Sequence, residues 1–329
     1  MNAFREMFET VAAYESLFER IAVQTVFFAG VLWLVSFLRK AVCARLFVTA
    51  RVPVFWPFAF VVKCLTQKFV VKRSENGFLF VLMPFLTFFL SALAFLFVPF
   101  LTFFAVTEIQ FDVLYALFVL YSSVCAFVSA GLVSDSRYAL ISAVRALMRL
   151  VSVQAVLVVV VMTVMLSADA TCFRDIADAQ KKIWFVLPHF PLVFIFTACT
   201  LFLLNVFRFE SPFAHKELAS GVYAEYAGGL YLLLRLSAYV SAVFMAAVGA
   251  FLFLGGDNAP FETRFVPSWV WLGVKTGLFF VVFVVAENAL PDYRSDKMPK
   301  IALLRFFPFC VLWLFATAAV CLLLSGGVV

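Results

Sequence analysis

Eight apolar stretches, each about as long as a bilayer is thick, constrain this chain more than anything else in it. On a window of about 20 residues they fall at 21–38, 78–104, 111–131, 151–167, 183–206, 224–254, 268–286 and 302–325. Inside hydrocarbon only helices and closed barrels satisfy their own backbone polar groups. Continuous runs of this length, without strand-like alternation, therefore read as helices. The expected fold is an all-α polytopic membrane protein of about eight transmembrane helices. The composition agrees, because a soluble core has no need of 65% hydrophobic residues or of a charged content as low as 13%. The fourth stretch is short, and the second and sixth are long enough to tilt. No internal repeat is visible, which counts against an unrelated secondary transporter of inverted-repeat design.

Residues 1–20 form an amphipathic lead-in, with Phe4, Met7, Phe8, Val11, Leu17 and Phe18 near one helical face. The acids Glu6, Glu9, Glu15 and Glu19 make it neither a transit peptide nor a secretory signal. The expected organisation is this lead-in followed by one membrane domain over 21–329. Charge in the connections is lopsided. The odd-numbered loops, roughly 39–77, 132–150, 207–223 and 287–305, hold 17 Lys or Arg, against 6 in the N-terminus and the even-numbered loops. The positive-inside rule puts the odd loops on the cytoplasmic or matrix side. Both termini then lie on the intermembrane-space or periplasmic side.

Seven cysteines are scattered without a C-x-x-C, and His189 and His215 stand alone. Nothing has iron–sulfur, haem or zinc spacing, so a redox role would use centres on another chain. The 45 phenylalanines fit both the T-rich codons of a small organellar genome and lipid-facing filler.

Charge inside the apolar stretches is the best pointer to function. An ionised side chain at the bilayer centre costs about 2.5–3.5 kcal/mol on insertion scales, and such groups usually face a cavity, a path or a partner. Glu217 and Glu225 lead into the sixth stretch, Arg235 sits inside it and Lys275 inside the seventh. On a helix, two acids eight residues apart are separated by about 12 Å on a similar face. They are either steps in a water-linked proton path, or each pairs with a neighbouring arginine or backbone donor. In the first basic loop Arg39, Lys40, Arg51, Lys68, Lys72 and Arg73 interleave with apolar residues. That suits either a segment lining an opening for an amphipathic molecule or plain orientation charge. In the second loop Ser134 or Asp135 is a candidate N-cap for a helix whose Arg145 and Arg149 share a face.

Four of these segments, in this order, resemble the quinone-site membrane subunit of respiratory complex I. Gly131 to Arg145, through Ser134, Asp135 and Tyr138, is similar to G-W-x-S-N-x-x-Y-A-L-x-G-x-x-R. Pro212-Phe213, Glu217-Leu218 and Gly221 to Glu225-Tyr226 resemble P-F-D followed by E-L-V-x-G-F-x-x-E-Y. Leu290 to Met298, with Arg294 and Asp296, resembles L-P-R-Y-R-Y-D-Q-L-M. Lys275 falls at the family's span-seven lysine, and Arg39-Lys40 at the end of its E-R-K. The departures are equally specific. Leu38 replaces the glutamate of E-R-K, Gln154 a span-four glutamate, Ala214 the aspartate of P-F-D and Ala238 the glutamate of A-E-Y, while Glu287 replaces an arginine.

The resemblance implies a subunit of a proton-translocating NADH:ubiquinone reductase that walls a tunnel for a long-tailed quinone. Ubiquinone is then the substrate, reduced by an iron–sulfur cluster of a neighbouring subunit, with no cofactor bound to this chain. Glu217 and Glu225 become the proton-relay candidates. Arg39, Lys40, Ser134, Asp135, Tyr138, Arg145, Pro212, Phe213, Tyr226, Lys275, Arg294 and Asp296 become the chamber and its junction. The partners implied are the other membrane-arm and peripheral-arm subunits and membrane lipids, cardiolipin among them, with no nucleic acid. The lost acids leave room for a second reading, an anchor for the peripheral arm that relays no protons, and a related hydrogenase subunit is a third. The missing import signal, the Phe bias and the drifted motifs favour the mitochondrial inner membrane, with a bacterial plasma membrane as the alternative.

Overall fold

A computed structural model describes residues 30, 33, 36–37, 39–42, 44, 53, 55–68, 77–99, 110–181, 183–204, 221–258, 268–289 and 297–325. Among the described residues every regular element is helical. In chain order they are α1 (Trp56–Thr66), α2 (Gly77–Leu96), α3 (Asp112–Val133), α4 (Arg137–Ala168), α5 (Phe173–Ala179), α6 (Phe190–Leu203), α7 (Val222–Glu225), α8 (Gly228–Leu254), α9 (Ser268–Ala289) and α10 (Lys297–Ile301). A π-helical turn (Ala302–Phe306) then leads into α11 (Phe307–Ser325). The described residues between 30 and 44, including Arg39 to Val42, are helical as well. The lead-in at 1–20 lies outside the described residues.

Six helices are long and apolar enough to cross a membrane: α2, α3, α4, α8, Val270–Ala289 of α9, and Lys297–Leu323. They differ from the expected spans in instructive ways. The short stretch 151–167 is the second half of the 32-residue α4, which at 1.5 Å per residue is about 48 Å long. Much of the expected loop 132–150 is thus the first half of the same rod. In the stretch 78–104 the helix ends at Leu96, and residues 100–104 lie outside the described residues. The fifth stretch yields the 14-residue α6, with Pro191 in its first turn and turns before it. That is about 21 Å, short of a bilayer's hydrocarbon thickness. The sixth stretch is broken, because Tyr226 and Ala227 are extended between α7 and α8. The span expected at 21–38 falls largely outside the described residues.

The bundle is organised around α8, whose membrane-length window is 89% buried, against 6% for Lys297–Leu323. α2 and α9 pack on α8, α3 lies between α2 and α4, and α11 rests on the outer side of α4. Phenylalanine serves the interior as well as the lipid. Phe196, Phe253 and Phe279 meet around α8, with Phe196 edge-on to the other two. Helices in lipid gain nothing from burying apolar surface against one another, so close contact is what favours association. Gly131 shows this near the end of α3. A Cβ there would lie 2.7 Å from Ala143 Cβ and 2.8 Å from Val222 Cγ2. The glycine lets α3, α4 and α7 converge, and the second, smaller core cluster gathers around that junction. Gly131→Ala is expected to cost about 1–3 kcal/mol through overpacking, lowering the unfolding midpoint of the purified protein. Gly273→Ala, whose added Cβ meets nothing within 4 Å, is expected to leave that midpoint in place.

Candidate functional site

The break between α7 and α8 positions the site. Gly228 has φ +59°, and a Cβ on it would lie 3.2 Å from the carbonyl oxygen of Gln67. That glycine therefore permits both the sharp turn and the approach of the chain leaving α1. Gly221, also at positive φ, opens the single turn of α7, and Val222 N–H donates to Ser142 Oγ of α4 at 3.1 Å. Glu225 closes this turn and is half-buried. Tyr226, next to it, is buried. Its hydroxyl donates to the Ala130 carbonyl at 2.9 Å, and its ring stacks on Phe80 at 4.3 Å between centroids.

Along the first turns of α8 the polar groups continue. Arg235 Nε donates to the Tyr231 hydroxyl at 3.1 Å, and its guanidinium lies 5.3 Å from the Tyr223 ring centre. The two tyrosine rings meet edge to face. One helical turn beyond Arg235, Tyr239 accepts a hydrogen bond from Arg39 Nη1 at 3.3 Å. Arg39 Nη2 lies 3.1 Å from Glu287 Oε1 at the end of α9, where the carboxylate side chain is only 1% exposed. Lys40 sits 3.5 Å over the Trp56 ring of α1. The N-terminal helical segment, α1, α7, α8 and the end of α9 thus share one seam of arginine, tyrosine and carboxylate.

The expected site residues fall into three groups, with Lys275 apart from all of them. Arg39, Lys40, Glu225 and Tyr226 lie along this seam. Ser134, Asp135, Tyr138 and Arg145 lie at the neighbouring α3–α4 turn. There Ser134 is buried and its Oγ donates to the Gly131 carbonyl at 2.8 Å, so it does not cap α4. The N-cap position belongs to Ser136, with no side-chain cap bond. Asp135 is exposed at φ +54° and Tyr138 is exposed. Arg145 is half-buried. Arg149, one turn on, is 3% exposed and reaches the Phe202 carbonyl at 3.4 Å, which a mere flanking charge would not do. Glu217, Pro212, Phe213, Arg294 and Asp296 lie outside the described residues, as does His215. Because α7 is a single turn broken from α8, the helical face expected for Glu217 and Glu225 does not continue into α8.

Lys275 stands apart. It precedes Glu287 by twelve residues on α9, about 18 Å along the axis. Its Nζ donates to the carbonyls of Leu254 at 2.7 Å and Asn258 at 2.6 Å, at the far end of α8. Beside it, in the turn beyond α8, burial raises the carboxyl pKa of Asp257, with Asp178 adding to the effect and Lys275 opposing it. Sequence reading overlooks Tyr239, Tyr231 and Tyr223 as partners. The spacing of four between Tyr231 and Arg235 is the available signal. The pairing of Arg39 with Glu287, 248 positions apart, carries none.

A bundle with six helices long and apolar enough to cross a membrane, crossed by a seam of charged and phenolic side chains, defines the chain as an integral membrane protein. The family model described as NADH dehydrogenase matches residues 11–318, and the chain belongs to that family. It is 32% identical to a subunit of the NADH-quinone oxidoreductase of Paramagnetospirillum magneticum, over 80% of this chain and 78% of that protein. It is 31% identical to the corresponding subunit from Rhodospirillum rubrum, over 80% and 79%. The NADH-ubiquinone oxidoreductase chain 1 of Cyanidium caldarium is 29% identical over 82% and 79%.

Removing Arg39 takes a hydrogen-bonded cation away from a buried carboxylate, and breaking such a pair costs about 3–5 kcal/mol. Arg39→Gln is therefore expected to reduce the amount of this chain in membranes, read by immunoblot. The exchanged pair Arg39→Glu with Glu287→Arg is expected to recover most of it. No recovery on exchange would show that the ion pair is not what holds these helices together.

Proposed function

We propose that this chain is the membrane subunit of a proton-translocating NADH:ubiquinone oxidoreductase that walls the quinone-access tunnel and couples quinone reduction to proton movement. The observation that carries the reading is the seam itself. Glu225-Tyr226 and Arg39-Lys40, from motifs far apart in sequence, lie along the seam that runs from α7 to the middle of α8. Amphipathic ligands favour sites where a few polar groups sit beside apolar walls. In this reading Glu225 and Glu217 relay protons. Arg39, Lys40, Ser134, Asp135, Tyr138, Arg145, Pro212, Phe213, Tyr226, Arg294 and Asp296 form the chamber and its junction with the peripheral arm. Lys275, twelve residues before Glu287 on α9, belongs to the same proposed set.

Electrons reach ubiquinone from an iron–sulfur cluster of a partner subunit, and this chain supplies the walls, the charge and the proton path. Its partners are the other membrane-arm and peripheral-arm subunits and surrounding lipid, cardiolipin included. Residues 21–329 form one membrane domain of eight spans, with α6 and the segment ending near Arg39 completing the count. Both termini lie on the intermembrane-space or periplasmic side, and the membrane is the mitochondrial inner membrane or, failing that, a bacterial plasma membrane.

One observation favours the anchor reading instead: the side chains of Tyr226, Arg235 and Glu287 are engaged in fixed contacts, as a static junction would have them. The two readings separate on one experiment. In fully assembled complex, Glu217→Gln combined with Glu225→Gln is expected to lower coupled NADH–quinone turnover well below wild type, because neither amide can release a proton. Wild-type turnover and pumping in the assembled double variant would leave only the anchor.

A further inference from the structure

The last membrane-length helix carries three cations that nothing among the described residues answers. Lys297, Lys300 and Arg305 are all exposed, and none of them makes a hydrogen bond or ion pair with a described residue. Lys297 and Lys300, three apart, share a helical face. Arg305 is turned outward by the π-helical turn. In an unbroken α-helix it would share the face of Ala302, three residues earlier, which is 0% exposed and belongs to the main core. In the wider turn Phe307 N–H donates to the Ala302 carbonyl. Arg305 swings away from the core, and Cys310 returns to the buried side. Pro308, which has no N–H for the Leu304 carbonyl, favours this departure. Lys297–Leu323 has 27 residues, about 40 Å of helix against a hydrocarbon thickness of about 30 Å. Charge assigns the surplus to the basic end. The lysines then stand at headgroup depth, and Arg305 lies at the boundary, within snorkelling reach of it. Along the apolar remainder Leu304, Phe307, Leu312 and Phe315 are exposed.

We propose that this outer face of α10 and α11 is a binding site for the phosphate headgroup of an anionic phospholipid, in the leaflet on the side of the basic loops. The surface is layered as a phospholipid is, with cations at headgroup level and exposed leucine and phenylalanine where acyl chains run. The guanidinium offers phosphate oxygens a planar fork of N–H donors, and the lysines add point charges. A free phosphate would use the cations and ignore the apolar flank, whereas a phospholipid engages both. The helix that carries the site is the least buried of the six, at 6%, so a lipid held there covers the side that α4 leaves open. The site deepens the lipid contact proposed above and rests on that part of the reading alone. It needs neither the quinone role nor the proton role.

The test uses the whole complex purified in detergent. Lipid retained through delipidation is counted by mass spectrometry. Lys300→Gln combined with Arg305→Gln is expected to lose an anionic phospholipid that the wild-type complex keeps, and equal retention overturns the site. Phosphatidylglycerol added back to delipidated wild type is expected to raise its thermal midpoint, and to raise that of the double variant less. An equal rise in both overturns the site. A rise as large with phosphatidylcholine overturns the preference for an anionic headgroup, and one as large with inorganic phosphate overturns the lipid as ligand. If the double variant does not assemble, a map of the wild-type complex decides. Headgroup density within hydrogen-bonding reach of Arg305 is expected, and a partner's carboxylate there, or no density, overturns the proposal. Failure of the broader function would look different. Membranes lacking this chain would then keep full NADH–quinone activity, whatever the lipid measurements give.

Discussion

A charged or strongly polar side chain in hydrocarbon must find its partner within the protein, because lipid offers none. In this bundle the partner is repeatedly the end of a neighbouring helix. Lys275 reaches the last carbonyl of α8, and Arg149 reaches Phe202 in the final turn of α6. Tyr226 donates to Ala130 near the end of α3, and Gln180 donates to Phe251 and Leu252 in the last turn of α8. Asp112 does the reverse, accepting from the backbone N–H of Phe173 at the start of α5 at 3.0 Å. Cations meet helix C-termini and the carboxylate meets an N-terminus, which is the pairing that both orphan backbone groups and helix dipoles favour. Each contact satisfies two groups that would otherwise cost energy in lipid, and together they fix where the helices meet.

The same requirement explains the pairing of Arg39 with Glu287. The family pattern has an acid before Arg-Lys at the end of the first span and a base at the end of the seventh. Here Leu38 has lost the acid and Glu287 has replaced the base. With a carboxylate at 287, Arg39 gains an opposite charge across the helices at 3.1 Å. Tyr239 takes another of Arg39's hydrogens and ties the pair to α8. The junction this pair makes is the one on which the seam is built.

Hydropathy makes most of the spans legible, because length and apolarity suffice to name a membrane helix. It fails where backbone chemistry intervenes. Residues 137–150 carry three arginines and read as a loop, yet they contain no helix breaker, so α4 runs straight through them. The fifth stretch is apolar throughout but has Pro188 and Pro191 near its start, and only α6 remains helical. The ordered motifs name the family but not depth: Lys275 and Arg39 belong to one pattern, yet one reaches Leu254 at the end of α8 and the other Tyr239 near its middle. Long-range partners such as Arg39 with Glu287 leave no periodic trace in the chain, so only the folded structure brings them together.

The break at Tyr226-Ala227 is hidden in the same way. Apolar content runs on from Val222 to Leu254, so hydropathy shows the acids leading into one continuous helical face. Gly228 supplies the reason for the interruption, since only a residue without Cβ tolerates φ +59° with the Gln67 carbonyl 3.2 Å from where a Cβ would be. Had α8 continued through the break, Glu225 would ride on the most buried helix of the bundle. Turned aside, it ends a separate turn where it is half-buried and beside Tyr226. Half-buried there, the carboxylate is spared the full burial that a place on the continuous helix would impose on it.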